Sequence, residues 1–218
     1  WARLGAKVEV IEFLPRILPG MDDEIAQKFM AIAKKQGLSF RLSTAVKQAK
    51  SSKAGVTLTV EPADGGKPES ISADIALVSV GRHPATDGLG LEAAGIALTE
   101  RGRIAVDTRF ETSLDDVYAI GDVIDGPMLA HKAEEDAVAA VEMMAGRAGH
   151  VDYTLVPGIV YTAPEIATLG QSEETLKVAN IDYKKGVFPF SANSRARAQG
   201  HSDGFVKILA CSRTDKVL

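Results

Sequence analysis

A glycine and an aspartate follow an apolar run and could bind a ligand. Four apolar or aromatic residues at positions 117–120 predict a buried parallel strand that ends at Gly121 and Asp122. Open α/β sheets bind ligands at the carboxyl ends of such strands. The residues alone leave two interpretations of Asp122. It is either a turn aspartate that accepts hydrogen bonds from loop amides, or a carboxylate that accepts them from the hydroxyls of a bound cofactor.

A helix is predicted to follow, beginning near Met128. We expect Asp125 to cap this helix and Pro127 to lie in its first turn. Helical spacing predicts a narrow, alanine-rich buried face, made of Ala130, Ala133, Ala137, Val138, Val141, Met144 and Ala145. The positive amino end of the helix would then point at the group that Asp122 holds.

The whole stretch 117–131 resembles the second flavin-binding motif of the pyridine nucleotide-disulfide oxidoreductases. Within that family, Gly121-Asp122 followed by Met-Leu-Ala-His-Lys-Ala-Glu at 128–134 resembles the dihydrolipoyl dehydrogenase branch. The resemblance implies that Asp122 binds the ribityl chain of FAD. It also implies that the backbone near the helix start approaches the flavin ring, at Met128, Leu129, Ala130 and His131.

A second carboxylate, Glu12, ends a strand predicted at residues 7–12. In a dinucleotide-binding unit, an acid at the end of the second strand binds the ribose hydroxyls of NAD, about 20 residues after a glycine fingerprint. That fingerprint would precede Trp1, and without it Glu12 could equally be a solvated residue. The family resemblance implies that Glu12 is the ribose ligand and that Val46 contacts the adenine, although packing explains Val46 equally well.

The segment from Val80 to Pro84 reads Val-Gly-Arg-His-Pro and ends an extended run that is predicted to follow a turn at residues 64–66. Because Gly81 has no side chain, it could bring the backbone against a flat ligand. The pattern resembles the segment that closes the NAD-binding domain throughout the family. The family usually has arginine where this chain has His83, which we interpret as a surface residue.

Composition excludes several classes of protein. The net charge is −4, the hydrophobic content is 45%, and lysines and arginines are scattered, which argues against a nucleic-acid surface. No apolar run reaches membrane-spanning length. The four histidines show no ligand spacing, so no metal is expected. The single cysteine, Cys211, fits a reducing compartment, which would be the cytoplasm of a bacterium or the mitochondrial matrix of a eukaryote.

A disulfide reductase needs a cysteine pair, so the single cysteine implies either that the resemblance is misleading or that the chain is a piece of a longer enzyme. In agreement with the second, residues 1–4 followed by Gly5 are typical of the last turn of a helix. The redox cysteines, the first flavin motif, the NAD glycines and the His-Glu base are all expected outside this chain. No catalytic residue is therefore assigned, and the chain alone is expected to be inactive.

The predicted fold class is α/β, with partial Rossmann-like FAD/NAD(P)-binding domains followed by a partial α+β dimer-interface domain. We place the later half of the NAD-binding domain at residues 1–82, a segment of the central FAD-binding domain at 83–150, and the first part of the dimerisation domain at 151–218.

The resemblance implies an enzyme that reoxidises the protein-bound dihydrolipoyl groups of 2-oxo acid dehydrogenase complexes and passes electrons through FAD to NAD. The implied partners are a second copy of the chain, lipoyl domains and the E2 core, with neither nucleic acid nor membrane. Three alternatives stay open: a mercuric or glutathione reductase-like flavoprotein, a flavoenzyme without a disulfide, and a non-catalytic dimerisation module.

Overall fold

The structure is a computed structural model that describes residues 1–218. It divides into two compact units. One unit contains Trp1–Val78 together with Ile159–Leu218, and the other contains Ser79–Gly158. The division of the chain into three family domains stays a prediction.

The first unit begins with a βαβ arrangement. Strand β1 (Glu9–Ile11) lies parallel to β2 (Ser39–Arg41), and helix α1 (Asp23–Lys35) connects them. Asp22 caps α1, since its carboxylate accepts hydrogen bonds from the amides of Glu24 and Ile25 at 3.1 and 3.4 Å. The helix ends before Gly37, whose φ of +95° suits glycine. The strand predicted at residues 7–12 is thus confirmed as β1.

Three antiparallel strands follow: β3 (Thr44–Ser52), β4 (Gly55–Pro62) and β5 (Glu69–Ala73). The extended run predicted after residue 66 is confirmed at β5 but is wrong at residues 76–80, since the segment 75–86 forms no regular structure. Its apolar side chains are exposed, and Val80 reaches 92%. A strand requires a partner for its amide and carbonyl groups, and no other strand of this chain lies beside it.

The second unit contains helix α2 (Ala130–Met144) and a 3₁₀ turn at Gly121–Val123. Its core is formed by Ile104, Phe110, Ala119, Ile124, Ala139 and Ala140. The parallel strand predicted at 117–120 is wrong, although Ala119 is buried as expected. Only one antiparallel bridge forms there, between Tyr118 and Glu111, because no strand of the same direction lies beside this segment.

Helix α2 buries a different face from the one predicted. Its buried residues are Lys132, Asp136, Ala139 and Ala140, whereas Val138 and Val141 are 59% and 61% exposed. A lysine and an aspartate one turn apart can neutralise each other, so they can occupy core-facing positions that hydrophobic periodicity assigns to apolar residues.

The remainder of the first unit is α+β. It contains β6 (Gly158–Val160), β7 (Ile166–Thr168), α3 (Glu173–Val178), β8 (Tyr183–Pro189), α4 (Ser194–Ala198) and β9 (Phe205–Cys211). Strands β8 and β9 pair in antiparallel register from Tyr183 opposite Cys211 to Pro189 opposite Phe205. Ser172 caps α3 by accepting a hydrogen bond from the Thr175 amide at 3.2 Å.

A buried lysine joins the two sequence segments of the first unit. Lys207 on β9 has a side chain only 4% exposed, and it binds Asp22 at 2.8 Å, Glu24 at 3.1 Å and Glu173. Its ammonium therefore connects the start of α1 to the start of α3. Sequence patterns indicate only a scaffold helix at α1 and give no sign of this cluster, because its members lie up to 185 residues apart.

No helix in the structure has both the length and the apolar character needed to cross a membrane.

Candidate flavin site

The turn at Gly121 and Asp122 presents a free carboxylate. Gly121 has a φ of +73°, and a Cβ atom there would lie 3.0 Å from the Cβ of Ala133 on α2, so only glycine fits without displacement. Asp122 is exposed, and its carboxylate accepts no hydrogen bond from the chain. The interpretation of Asp122 as a turn residue that satisfies loop amides is therefore wrong. The carboxylate is available to a ligand.

Two side chains of α2 bind both polar backbone groups of Gly121. The Gly121 amide donates to Oδ2 of Asp136 at 3.0 Å, and the Gly121 carbonyl accepts from Nζ of Lys132 at 3.0 Å. Lys132 and Asp136 are one helical turn apart and have fully buried side chains. The Nζ atom of Lys132 lies 2.6 Å from Oδ2 of Asp136. We call these two residues the α2 ion pair.

Tyr153 completes the hydrogen bonding of this pair. Its hydroxyl donates to Oδ1 of Asp136 at 2.7 Å, and its ring lies 5.4 Å from the Nζ atom of Lys132. Burial and then the hydrogen bond to Asp136 raise the pKa of Tyr153 well above its usual range. The hydroxyl therefore stays protonated at neutral pH and remains a donor to Asp136.

Cationic side chains also hold the loop that follows the turn. Arg103 donates to the carbonyl oxygens of Ile124 at 3.2 Å and Gly126 at 3.0 Å. Gly126 has a φ of +121°, and a Cβ there would lie 2.9 Å from Cε of Lys132, so the loop packs closely on the α2 ion pair. Asp122 takes no part in these contacts, and its carboxylate faces solvent.

The start of α2 differs from its prediction. Asp125 does not cap the helix: Leu129 is the N-cap residue and makes no side-chain cap hydrogen bond. Pro127 lies before the helix rather than in its first turn, and its carbonyl accepts from the Leu129 amide at 3.0 Å. The first amides of α2 therefore have no side-chain acceptor and can bind an external electron-rich group.

His131 makes a specific contact in the first turn of α2. Its Nε2 atom lies 2.9 Å from the carbonyl oxygen of Pro157. Because a carbonyl only accepts, Nε2 must carry the proton of this hydrogen bond. The contact ties the helix start to the segment before β6 and leaves Nδ1 free. Ala130 is exposed and Met128 and Leu129 are partly buried.

The predicted nucleotide residues Glu12 and Val46 both lie in the first unit. Glu12 follows β1, and its Oε1 atom accepts from the Leu14 amide at 2.8 Å. Arg16, a competing phosphate ligand by sequence position, instead donates to the Met21 carbonyl and pairs with Asp23 at 3.3 Å. Val46 is 48% exposed beside a bulge in β3, so its side chain is accessible to a ligand.

Gly81 lies in the second unit, on the segment without regular structure. Its φ is +116°, and a Cβ atom at this position would have no other atom within 4 Å, so backbone conformation rather than close packing requires the glycine.

Comparison with known proteins decides the family. The family described as pyridine nucleotide-disulphide oxidoreductase matches residues 1–137, and the dimerisation domain of the same group matches residues 156–218. The chain belongs to the pyridine nucleotide-disulphide oxidoreductase family. The predicted α/β class, with partial nucleotide-binding and dimerisation domains, is thereby confirmed.

Individual members of the pyridine nucleotide-disulphide oxidoreductase family are similar over the whole chain. Mitochondrial dihydrolipoyl dehydrogenase of Pisum sativum is 53% identical, and mitochondrial dihydrolipoyl dehydrogenase 1 of Arabidopsis thaliana is 54% identical. This chain spans 44% and 43% of their lengths. The structure of the HOCl-induced flavoprotein disulfide reductase RclA from Escherichia coli matches with a TM-score of 0.87 and 29% identity, covering 100% of this chain and 49% of that one.

Sequence patterns did not reveal the residues that hold the turn before Asp122. Lys132, Asp136 and Tyr153 were not singled out. One signal was present, since a lysine and an aspartate four residues apart interrupt the apolar pattern of a helix that otherwise packs on a core. Tyr153 gave no local signal, because it lies 17 residues from its partner Asp136.

Proposed function

We propose that this chain is part of a flavoprotein that reoxidises protein-bound dihydrolipoyl groups and passes the electrons through FAD to NAD. The observation that carries the proposal is the exposed, unpartnered carboxylate of Asp122 on a turn whose backbone is bound by α2. The relatives named dihydrolipoyl dehydrogenase are 53% and 54% identical. They favour this branch over mercuric or glutathione reductase-like enzymes.

The residues around Asp122 fit a flavin. The free carboxylate would accept hydrogen bonds from ribityl hydroxyls, and the uncapped amides at the start of α2 would face the electron-rich side of the ring. The backbone at Met128, Leu129, Ala130 and His131 would supply this contact. When bound, FAD supplies the two-electron chemistry that links thiols to a nicotinamide. The chain itself orients the cofactor.

Glu12 and Val46 are the proposed NAD ligands, and Gly81 is proposed separately as a cofactor-binding residue. The Oε2 atom of Glu12 makes no hydrogen bond and is available to ribose hydroxyls. The exposed side chain of Val46 offers an apolar surface for an adenine ring. Gly81 adds backbone without a side chain and could lie against a flat ring.

The proposed partners follow from the family. The match of residues 156–218 to the dimerisation domain supports a homodimer. Lipoyl domains and the E2 core of 2-oxo acid dehydrogenase complexes would be the macromolecular partners. The two plant relatives are named as mitochondrial, which supports the mitochondrial matrix if the source is eukaryotic. In a bacterium the compartment would be the cytoplasm.

The substitution Asp122→Ala in the full-length protein tests the proposal. A hydrogen bond to a charged group contributes about 1.5 to 3 kcal/mol, so FAD should bind about 10-fold to 100-fold more weakly. The FAD content after extensive dialysis, read from its visible absorbance, measures the loss. Asp115→Ala removes another exposed turn carboxylate and is the matched control, which should keep its FAD. Equal FAD content in both variants would contradict the role of Asp122.

A further inference from the structure

The α2 ion pair has an unusual location for two charges. Both side chains are fully buried, in the second unit, on the face of α2 that packs on the core. Removing two ions from water carries a large desolvation cost, and apolar residues of similar volume often give equal or greater stability. The packing of α2 therefore does not by itself require Lys132 and Asp136.

Every polar side-chain atom of the pair has a partner, and the partners include both polar backbone groups of Gly121. Lys132 binds Asp136 and the carbonyl oxygens of Gly121 and Asp125, the last at 3.4 Å. Asp136 accepts from Lys132, from the Gly121 amide and from the Tyr153 hydroxyl. The network is fully satisfied, so it can fix one geometry in a medium of low dielectric constant.

The geometry that it fixes is the one that orients Asp122. Glycine is the most flexible residue, and Gly121 alone would let the chain turn in several directions. Because Asp136 binds its amide and Lys132 binds its carbonyl, both peptide planes that flank Gly121 are restrained. The second of these planes leads directly into Asp122.

We propose that Lys132 and Asp136 are positioning residues that hold the Asp122 carboxylate in place for the ribityl hydroxyls of FAD, with Tyr153 orienting Asp136. The proposal rests on the proposed function of Asp122 and adds residues that do not touch the cofactor. It assigns the buried charges to cofactor binding rather than to stability.

The test replaces both charges at once, as Lys132→Met with Asp136→Leu, in the full-length protein. This change keeps apolar volume on the core face and leaves no uncompensated buried charge. The dissociation constant of FAD, measured by fluorescence quenching on the apoprotein, should rise about 10-fold to 100-fold, the same range as for Asp122→Ala. The visible circular dichroism of the bound flavin should also change, since the ribityl chain loses its fixed partner.

A double-mutant cycle with Asp122→Ala separates positioning from stability. If the pair acts through Asp122, removing it in the Asp122→Ala background should weaken FAD binding no further. Equal losses in both backgrounds would show that the pair acts on the fold, and would overturn the inference. Unchanged FAD affinity in the variant without the pair would also overturn it. If Asp122→Ala itself binds FAD normally, the proposed function fails and the inference fails with it.

A milder variant and a matched control support the cycle. Tyr153→Phe keeps the ring but removes the hydroxyl that orients Asp136, and it should weaken FAD binding several-fold only when Asp122 is present. The control removes an exposed pair, Lys184 and Asp215, as Lys184→Met with Asp215→Asn. Asparagine tolerates the φ of +58° at position 215, and FAD binding should not change.

Discussion

At the scale of single residues, the proposed role of Glu12 as a ribose ligand predicts a preference for NAD over NADP. Glu12 uses one carboxylate oxygen to accept the Leu14 amide and keeps the other available. Arg16 lies four positions further along the chain, yet the Met21 carbonyl and Asp23 bind its guanidinium. A 2′-phosphate at this place would therefore meet a carboxylate with no free arginine to compensate it.

Glu12→Gln should reduce the preference for NAD. The neutral amide no longer repels a 2′-phosphate, so we expect the ratio of kcat/KM for NAD to that for NADP to fall about 10-fold or more in the full-length enzyme. Steady-state kinetics with both cofactors measure this ratio. Arg16→Met is the control and should leave the ratio unchanged. If the unmodified enzyme used NADP at least as well as NAD, the assignment of Glu12 would fail.

At the scale of elements, the ion pairs between Lys207 and the carboxylates around it make the stability of the first unit depend on pH. A hydrogen bond from Lys28 lowers the pKa of Glu24 from its ordinary 4.5 to about 2, and Lys207 adds to this although burial opposes it. Hydrogen bonds from Lys207 and then Tyr183 lower the pKa of Glu173. Burial acts to lower the pKa of Lys207, but its bonds to Asp22 and Glu173 outweigh burial and raise it.

The sign of the pH dependence follows from these directions. Carboxyls with lowered pKa values stabilise the folded state above their unfolded pKa, and this contribution disappears as the pH falls through the folded value. The contribution of Glu24 is therefore lost between about pH 5 and pH 2. A lysine with a raised pKa stabilises the folded state at every pH below its unfolded pKa of 10.5. Lys207 loses this stabilisation only in strong base.

Lys207→Met should destabilise the first unit by about 3 to 5 kcal/mol at pH 7, because it leaves Asp22, Glu24 and Glu173 without their shared cation. The deficit should shrink at pH 3, where Glu24 and Glu173 protonate more easily in the variant. Urea unfolding followed by circular dichroism at pH 7, 5 and 3 measures both effects. Lys184→Met removes an exposed lysine and should change the free energy of unfolding little. A deficit that stayed constant with pH would contradict this account.

At the scale of the whole molecule, the chain has one thiol. Cys211 is the last residue of β9, and a hydrogen bond with Thr214 lowers the pKa of its thiol. One thiol cannot oxidise a dithiol substrate, because thiol–disulfide exchange requires a disulfide for the substrate thiol to attack, and the chain has no second cysteine to form one.

The 218-residue chain, purified as it stands, should therefore not oxidise dihydrolipoamide even with added FAD and NAD. Formation of NADH, followed by its absorbance, is the direct assay, and an intact dihydrolipoyl dehydrogenase is the positive control. The apolar segment at 75–80, where Leu77 and Val78 are 74% and 75% exposed, should also make the chain prone to aggregation. Turnover by this chain alone would show that the catalytic groups have been misplaced.

Local sequence determined the features that depend on neighbours in the chain. Asp22 and Ser172 predict helix starts and do cap α1 and α3, because a capping carboxylate or hydroxyl reaches amides two or three residues away. The Gly121–Asp122 turn was also predictable, since glycine and aspartate are typical turn residues at the end of an apolar run. The family resemblance then extended this interpretation to the whole chain.

Tertiary structure decided which surfaces are buried and which charges meet. Residues 76–80 and 117–120 have the composition of strands, yet pairing needs partners that local sequence does not specify. Helix α2 buries Lys132 and Asp136 instead of Val138 and Val141, because the two charges neutralise each other and bind Gly121. Lys207 meets Asp22 across 185 residues of chain. Hydrophobic periodicity treats every charge as solvated, so only the folded chain determines where charges are paired and buried.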